Sequence, residues 1–430
     1  MSDTLSNKDK IIIFSSNPYT FEESMLPILV NLNKNYDLIL FLEDGYFLSK
    51  VEPLLEELKN KKVIVEYIIT NIHTSNFMKS IERCKEILNK LDLSNVKLSI
   101  LCEDFTLPSQ YIVNFFKERN IMTCVILYGL LQPIIYYKYY FKRNKKILNS
   151  LIFDPSYDLN YSFSFLLKSY IKFFINFYYY IKNSFFKNHI LILYYKFIYD
   201  LTLNNSKGVR MNISSGLADF IIVNDYVDYE CIKTILPKFN NIYLGSHPSY
   251  NHCINFSGNS LLVLVPGAYY EEFPIIIMNK WYSIIYKILN IYKLNDIHFR
   301  FHPREGSEVR LQFKNFMTKN GIPFVENDSR ENSIKFNFSD YKIIIGSKSS
   351  SLRFARQCSP NSIVVGIKNA CFSGYWSQPF GIGDMNGITW INNAEELEIE
   401  KLEQNTLIHL NHPKLFELIE AKIQNLGSSL

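Results

Sequence analysis

The chain has 430 residues, enough for two domains with separate cores. Hydrophobic residues make up 47% and charged residues 20%, which excludes a disordered chain, while a net charge of +5 singles out no partner by itself. The seven cysteines (Cys84, Cys102, Cys124, Cys231, Cys253, Cys358 and Cys371) are scattered without a C-x-x-C pair, a spacing that suits neither a disulfide framework nor a structural zinc site. Several lie in apolar runs, where cysteine behaves as a small core residue, and a reducing compartment is expected. The polar segment Met1–Lys10 does not read as a secretion signal. No window offers roughly twenty uninterrupted apolar residues, the length of a spanning helix. We therefore expect a cytoplasmic protein.

In chain order, short runs rich in Ile and Val alternate with polar helical stretches. The predicted strands are Ile11–Phe14, Leu38–Leu42, Val63–Ile69, Val96–Leu101 and Met122–Leu127. Between them the predicted helices are Glu22–Asn33, Val51–Asn60, Phe77–Leu91 and Pro108–Arg119. Such alternation indicates parallel β-α-β units, and near-continuous apolar strands indicate a sheet covered on both faces. The rhythm restarts near Asp219, with strands predicted at Phe220–Val223, Ile242–Leu244, Ser260–Val265, His298–Phe301, Ile322–Val325, Lys342–Ile345 and Ile363–Val365. Helices are predicted at Trp281–Ile291, Ser307–Lys319 and Leu352–Gln357. The expectation is an α/β protein with two doubly wound domains, residues 1–250 and 251–430, hinged near Gly245–Ser260.

Residues 133–200 break the pattern with runs of aromatics interleaved with lysine. They hold ten basic and three acidic residues, a net charge above that of the whole chain. Basic side chains among aromatics on long helices suit the boundary between water and anionic lipid. We expect an aromatic, basic helical insertion in or after the first domain that touches an anionic membrane surface and does not bind nucleic acid. A packed insertion with solvated lysines is the plainer alternative.

In doubly wound domains ligands collect at the carboxyl ends of the strands, so those ends carry the functional reading. The run Ile297-His298-Phe299-Arg300-Phe301-His302-Pro303-Arg304 delivers His302 to a rigid turn followed by Arg304. Histidine there can donate to a leaving phosphate, and arginine can offset its charge. The run Ile345-Gly346-Ser347-Lys348-Ser349-Ser350-Ser351 ends a strand in glycine and opens a helix with serines. Helix N-termini and hydroxyls together hold phosphate, so Ser347, Ser349, Ser350 and Ser351 are candidate phosphate ligands. Glu326 ends the strand between these elements and could hold ribose hydroxyls. In the first domain Ser16 and Asn17 follow the first strand, and Gly129 follows the fifth, where it permits close backbone approach. Glu43-Asp44 and Glu103-Asp104 place paired acids after strands, where a general base would sit; Asp104 ranks first and Asp44 second. His247-Pro248 falls in the hinge and reads as structural.

The chain contains no G-x-x-x-x-G-K-[ST], no G-x-G-x-x-G and no H-E-x-x-H. No D-x-D follows a strand, which argues against a metal-bound diphosphate, and neither a metal nor a cofactor is expected.

With His302-Pro303 in the second domain and Ser349-Ser350 some 45 residues later, the chain resembles the bacterial sialyltransferases and polysialyltransferases. The resemblance lies chiefly in the C-terminal domain. It implies a GT-B fold, with His302 as general acid or phosphate hydrogen-bonder for departing CMP and Ser349 and Ser350 on its phosphate. Those families carry an acidic-acidic-Gly base motif in the N-terminal domain. The one literal match here, Glu43-Asp44-Gly45, stands earlier than they place it. After the fifth strand the chain instead reads Tyr128-Gly129 with Pro133 beyond, similar to the His-Gly…Pro turn of capsule and teichoic-acid-type transferases.

The sequence therefore leads us to expect an inverting, metal-independent glycosyltransferase, peripheral at the inner face of the cytoplasmic membrane. It would move a sugar, sialic acid or a related acid sugar, from a CMP-activated nucleotide sugar to a glycan or glycolipid acceptor of capsule or lipooligosaccharide type. The alternatives are a CDP-polyol phosphotransferase, a UDP-sugar 2-epimerase and a non-catalytic assembly partner on the membrane.

Overall fold

The computed structural model describes residues 8–15, 21, 25–43, 48–72, 77–104, 107–127, 216–224, 229, 232–233, 239–246, 258–265, 275–294, 296–301, 307–327, 336–346, 350–359, 361–367, 388–398, 402 and 413–427. The aromatic, basic segment 133–200 lies outside these residues. Two compact units divide the chain: Met1–Gly245 with Pro413–Leu430, and Ser246–His412.

The first unit is built on β1 (Lys10–Ser15), β2 (Asp37–Glu43), β3 (Glu66–Thr70), β4 (Val96–Leu101), β5 (Met122–Leu127), β6 (Phe220–Val223) and β7 (Ile242–Leu244). They form one parallel sheet of order β3-β2-β1-β4-β5-β6-β7. Helices α1 (Leu26–Leu32), α2 (Leu48–Asn60), α3 (Phe77–Leu88) and α4 (Leu107–Lys117) make the crossovers between the first five strands. The order reverses between β1 and β4, the switch point of a doubly wound sheet. Ile11 and Ile13 face the core shared with α1 and α2, whereas Phe14 stacks on Phe41 and packs against Phe116 of α4 on the other face. Both faces being covered explains why these strands are apolar throughout.

The second unit repeats the plan with β8 (Ser260–Val265), β9 (Ile297–Phe301), β10 (Phe324–Asn327), β11 (Tyr341–Gly346), β12 (Ile363–Ile367) and β13 (Ile388–Ile391). The order is β10-β9-β8-β11-β12-β13, all parallel, and the switch point lies between β8 and β11. Its helices are α5 (Ile275–Tyr292), α6 (Ser307–Lys319) and α7 (Ser350–Cys358). Trp281 of α5 and Phe313 of α6 fill the core against Phe299 and Phe301. The expected fold class is thus the observed one, with β13 an additional strand.

Helices α2, α4, α5 and α6 end alike. Lys62, Asn120, Lys293 and Gly321 each adopt a positive φ, and the next N–H reaches the carbonyl five residues back: Val63 to Leu58, Ile121 to Phe116, Leu294 to Leu289 and Ile322 to Met317. The left-handed residue stops the helix and satisfies its last carbonyls, so the chain turns at once toward the next strand.

The final helix, α8 (Leu415–Gly427), packs on the first unit rather than the second. Its pattern explains why: Leu415, Ile419 and Ile423 share one helical face and are buried in the first unit's core. Asn35 donates to Glu420 and Lys422 donates to Tyr243, 2.8 and 2.6 Å respectively. Gly245 makes the close approach possible, since a Cβ there would lie 2.9 Å from Leu418 and 3.3 Å from the Leu415 backbone. Ile419→Ala should therefore cost about 2–5 kcal/mol of stability, the usual range for emptying a fully buried site, seen as a lower denaturant midpoint. The same change at exposed Leu311, 57% accessible, should leave the midpoint nearly unchanged.

Candidate functional site

In the first unit the buried polar side chains among the described residues, apart from Ser99 and Thr123, gather at the carboxyl edge of the sheet. Ser15, Glu43 and Thr70 close β1, β2 and β3; Glu103 and Asp104 follow β4; Asn224 follows β6. Ser80, Ser109 and Gln110 stand in the first turns of α3 and α4. The strand-end acids are therefore not solvated turn residues: Glu43 and Glu103 are 5% exposed and Asp104 is 0% exposed. Enclosing a carboxylate costs several kcal/mol unless donors compensate, so each such acid has a structural or chemical task.

Glu43 accepts from the Thr70 hydroxyl at 3.0 Å and from the Ile72 N–H at 3.2 Å, tying the exit of β2 to that of β3. Burial, and after it the Glu43 charge, pushes the Cys84 thiol well above its usual range, which leaves it a core residue and not a nucleophile. Glu103 accepts from the Ser109 hydroxyl of α4. The Cys102 N–H donates to Phe14 at 3.1 Å, extending the β1–β4 ladder by one residue. Glu103 and Asp104 thus leave the sheet at the switch point itself. Sequence reasoning placed Asp104 there but missed Ser109, whose signal was only its position in the first turn of α4. Ser16, Asn17, Asp44 and Gly129 lie outside the described residues.

In the second unit, six strands contribute to one in-register row near the carboxyl edge: Asn327, Arg300, Leu264, Gly346, Gly366 and Trp390. Gly346 ends β11 at the switch point. A Cβ there would meet Leu264 Cβ at 3.2 Å and Leu352 of α7 at 3.3 Å, so its absence lets α7 settle against the strand end. Helix α7 begins at Ser350, and Ser351 is half-buried in its first turn. Ser347 and Ser349 lie outside the described residues, as do His302 and Arg304, which follow β9 in sequence.

Glu326 stands in edge strand β10, where Arg310 and Lys314 of α6 pair with it at 3.1 and 2.6 Å. Those partners join the edge strand to its preceding helix. On the sheet face opposite the core, His298 Nε2 lies 3.1 Å from Asp296 and His298 Nδ1 lies 3.2 Å from the Tyr341 hydroxyl, which Asn327 contacts at 2.9 Å. Burial pushes the Tyr341 hydroxyl up, keeping it protonated and able to donate to His298. The Arg300 guanidinium lies 4.5 Å over Phe336, whose ring stacks on Tyr341. This layer fixes β9, the strand that leads to His302, against β10 and β11. Among the described residues, no group of three or more His, Cys, Asp or Glu side chains is placed to hold a metal ion.

Neither a protein-family model nor a curated protein matches the chain. Solved structures do. One is UDP-GlcNAc 2-epimerase from Methanocaldococcus jannaschii, at 12% identity over 97% of this chain and 99% of that one, with a TM-score of 0.51. Another is a UDP-N-acetylglucosamine 2-epimerase at 11% identity, covering 98% and 96%, with a TM-score of 0.52. At such identity the likeness is one of fold: two Rossmann-like domains in one chain, the GT-B class.

The row of strand-end residues carries its own test. A Cβ at Gly366 would fall 2.3 Å from the Trp390 ring. Gly366→Ala should therefore destabilise by about 1–3 kcal/mol through overpacking, read as a lower melting temperature. Trp390→Leu, added to it, should recover part of that loss, so the two effects should be clearly non-additive.

Proposed function

We propose that the chain is a nucleotide-sugar enzyme of the GT-B class, an inverting and metal-independent glycosyltransferase whose second unit binds the donor. The observation that carries this reading is the β11–Gly346–α7 junction at the switch point. There a bare glycine seats a helix against the strand end, and a serine-rich link joins the two. Backbone N–H groups and hydroxyls at such a junction suit a phosphate, and the edge between β8 and β11 is where doubly wound sheets take nucleotides. The His302-Pro303-Arg304 segment leaves β9, the strand beside β8, which supports a role for His302 at the leaving group.

In the proposed reaction a carboxylate of the first unit, Asp104 ahead of Asp44, removes the proton from an acceptor hydroxyl. The acceptor oxygen bonds to the anomeric carbon as the sugar–phosphate bond breaks, its electron pair departing with the nucleotide. His302 donates a proton or hydrogen bond to that phosphate, Arg304 offsets its charge, and Ser349 and Ser350 hold it. The resemblance to bacterial sialyltransferases carried by His302-Pro303 and Ser349-Ser350 implies a CMP-activated acid sugar as donor, and a surface polysaccharide or glycolipid as acceptor.

A second reading, conversion of a UDP-sugar by 2-epimerisation, is favoured by the solved structures of similar fold, which are named as UDP-GlcNAc 2-epimerases. A ligand that binds the native state raises its stability by RT ln(1 + [L]/Kd), so thermal unfolding with CMP, CDP, UDP and GDP separates the readings. CMP should give the largest rise, and His302→Ala should lower sugar transfer by roughly 10²–10⁴-fold with little change in that rise. A rise with UDP alone, with UDP-GlcNAc epimerised in the absence of any acceptor, would replace transfer by epimerisation. A rise with CDP alone points to polyol-phosphate transfer. No rise with any nucleotide points to a non-catalytic partner.

Among the described residues, no helix is long and apolar enough to cross a membrane. We propose that residues 133–200, with ten basic and three acidic residues among aromatics, dock the protein on anionic lipid at the inner face of the cytoplasmic membrane. Co-sedimentation with phosphatidylserine-containing vesicles should fall steeply with salt, and again when Lys142, Arg143, Lys145 and Lys146 are changed to Gln. Binding indifferent to both would leave the segment as packed insertion only.

A further inference from the structure

We propose that Glu103 is a positioning residue for the transfer reaction: by taking the Ser109 hydroxyl it locks the turn between β4 and α4 and so fixes Asp104. The inference rests on the proposed reading in which Asp104 is the base. Three features of the turn lead to it. The ladder between β1 and β4 continues through the Cys102 N–H to Phe14, so the strand side of the turn is pinned up to the residue before Glu103. The helix side begins at Leu107, and Ser109 in its first turn donates to Glu103. Glu103 and Ser109 are 5% and 4% exposed, so this bond is shielded from competing water. It ties the residue just past β4 to the first turn of α4, and Asp104 is the next residue after Glu103, fully buried.

The other buried strand-end acid, Glu43, sets a contrast. It accepts from Thr70 at the end of strand β3 and from Ile72 just beyond it, so these contacts join two strand exits and not a strand to the helix that follows it. Glu103 has the chemistry of a base but already accepts from a helix hydroxyl, and its main-chain neighbour is the acid at the switch point. A base acts only when held within a fraction of an ångström of its target. A misplacement of about 1 Å can cost roughly 10²-fold in rate. Loosening the Glu103–Ser109 bond should thus act on turnover through Asp104.

The test uses the full chain and measures CMP release from CMP-activated sialic acid, with water as acceptor, alongside thermal unfolding and amide exchange of residues 102–110. Glu103→Ala should lower kcat by about 10²-fold with the KM for the donor changed little. Glu103→Gln should retain most of the activity, because its amide oxygen still accepts the Ser109 hydroxyl. Ser109→Ala, which removes the same bond without touching the acid, should reproduce the loss in kcat. Amide exchange in residues 102–110 should accelerate in Glu103→Ala and Ser109→Ala and stay slow in Glu103→Gln. If Glu103→Gln is as inactive as Glu103→Ala while exchange is normal, Glu103 acts as a carboxylate in the chemistry and the positioning role is overturned. Full activity in a folded Glu103→Ala, with Asp104→Asn inactive, overturns the positioning role and spares the base. An Asp104→Asn protein that turns over normally sinks the base reading, and Asp44→Asn then shows whether the base lies there. If the unmodified chain releases no CMP, the exchange measurements still decide: unchanged exchange in Glu103→Ala refutes the locked turn.

Discussion

A parallel sheet covered by helices on both faces allows its strands almost no polar side chains except where the chain leaves the sheet. Each strand then works as an apolar rod with a chemically usable tip. In the first unit Ile11, Ile12 and Ile13 are buried whichever face they take, while Ser15, Glu43, Glu103 and Asp104 appear at or just past the strand ends. In the second unit Val263, Ile344 and Val365 play the part of the rods, and Gly346 stands at the tip of β11. The crossover helices decide which tips stand beside one another. Because both sheets reverse order between their first and fourth strands, the tips at the reversal are left without a crossover helix between them. Sequence pattern, layer packing and the position of polar groups thus follow from the one requirement that both faces be dry.

That requirement also sets what could be read from the sequence. Strands such as Val96–Leu101, Met122–Leu127 and Ser260–Val265 are legible because a doubly buried strand is an uninterrupted apolar run between polar helices. Strand β13 was not, because Thr389 interrupts the apolar run of Ile388–Ile391 and Trp390 is only half-buried at the sheet edge. Helix α8 has a clear period of apolar residues at Leu415, Ile419 and Ile423, so its existence was within reach. Its destination was not. Nothing in a helical period says which of two cores it fills, and here the clue is a glycine far away in sequence, Gly245, that makes room for it.

The strand-end acids show a second boundary of legibility. In sequence Glu43-Asp44 and Glu103-Asp104 are the same signal, a polar pair after an apolar run. Burial and donors separate what the pattern equates. Glu43 serves the hydroxyl of Thr70 and the amide of Ile72, which joins two strand exits. Glu103 serves Ser109 across a single turn. Neither partner lies at a spacing that a motif would record, since the distances run from six to almost thirty residues along the chain. A carboxylate's task is set by the donors that fold around it, and those are tertiary.

In the second unit the same lesson applies to residues without charge. Gly346 and Gly366 occupy paired register positions on β11 and β12, yet they do different things. At Gly346 the missing side chain is taken up by Leu264 and Leu352, which brings a helix onto the strand end. At Gly366 it is taken up by an indole ring, which covers the sheet. A helix that starts close to the strand tip can turn its free N–H groups toward whatever lies beyond the edge; a ring cannot. Of the two glycines, the one at the switch point is therefore the one that seats a helix against its strand end. Serines follow it in sequence, while Ile388–Ile391 and its tryptophan close the far side of the sheet. The asymmetry between two neighbouring glycines, more than the presence of either, supports the proposal that a phosphate sits on the β8–β11 side of this sheet.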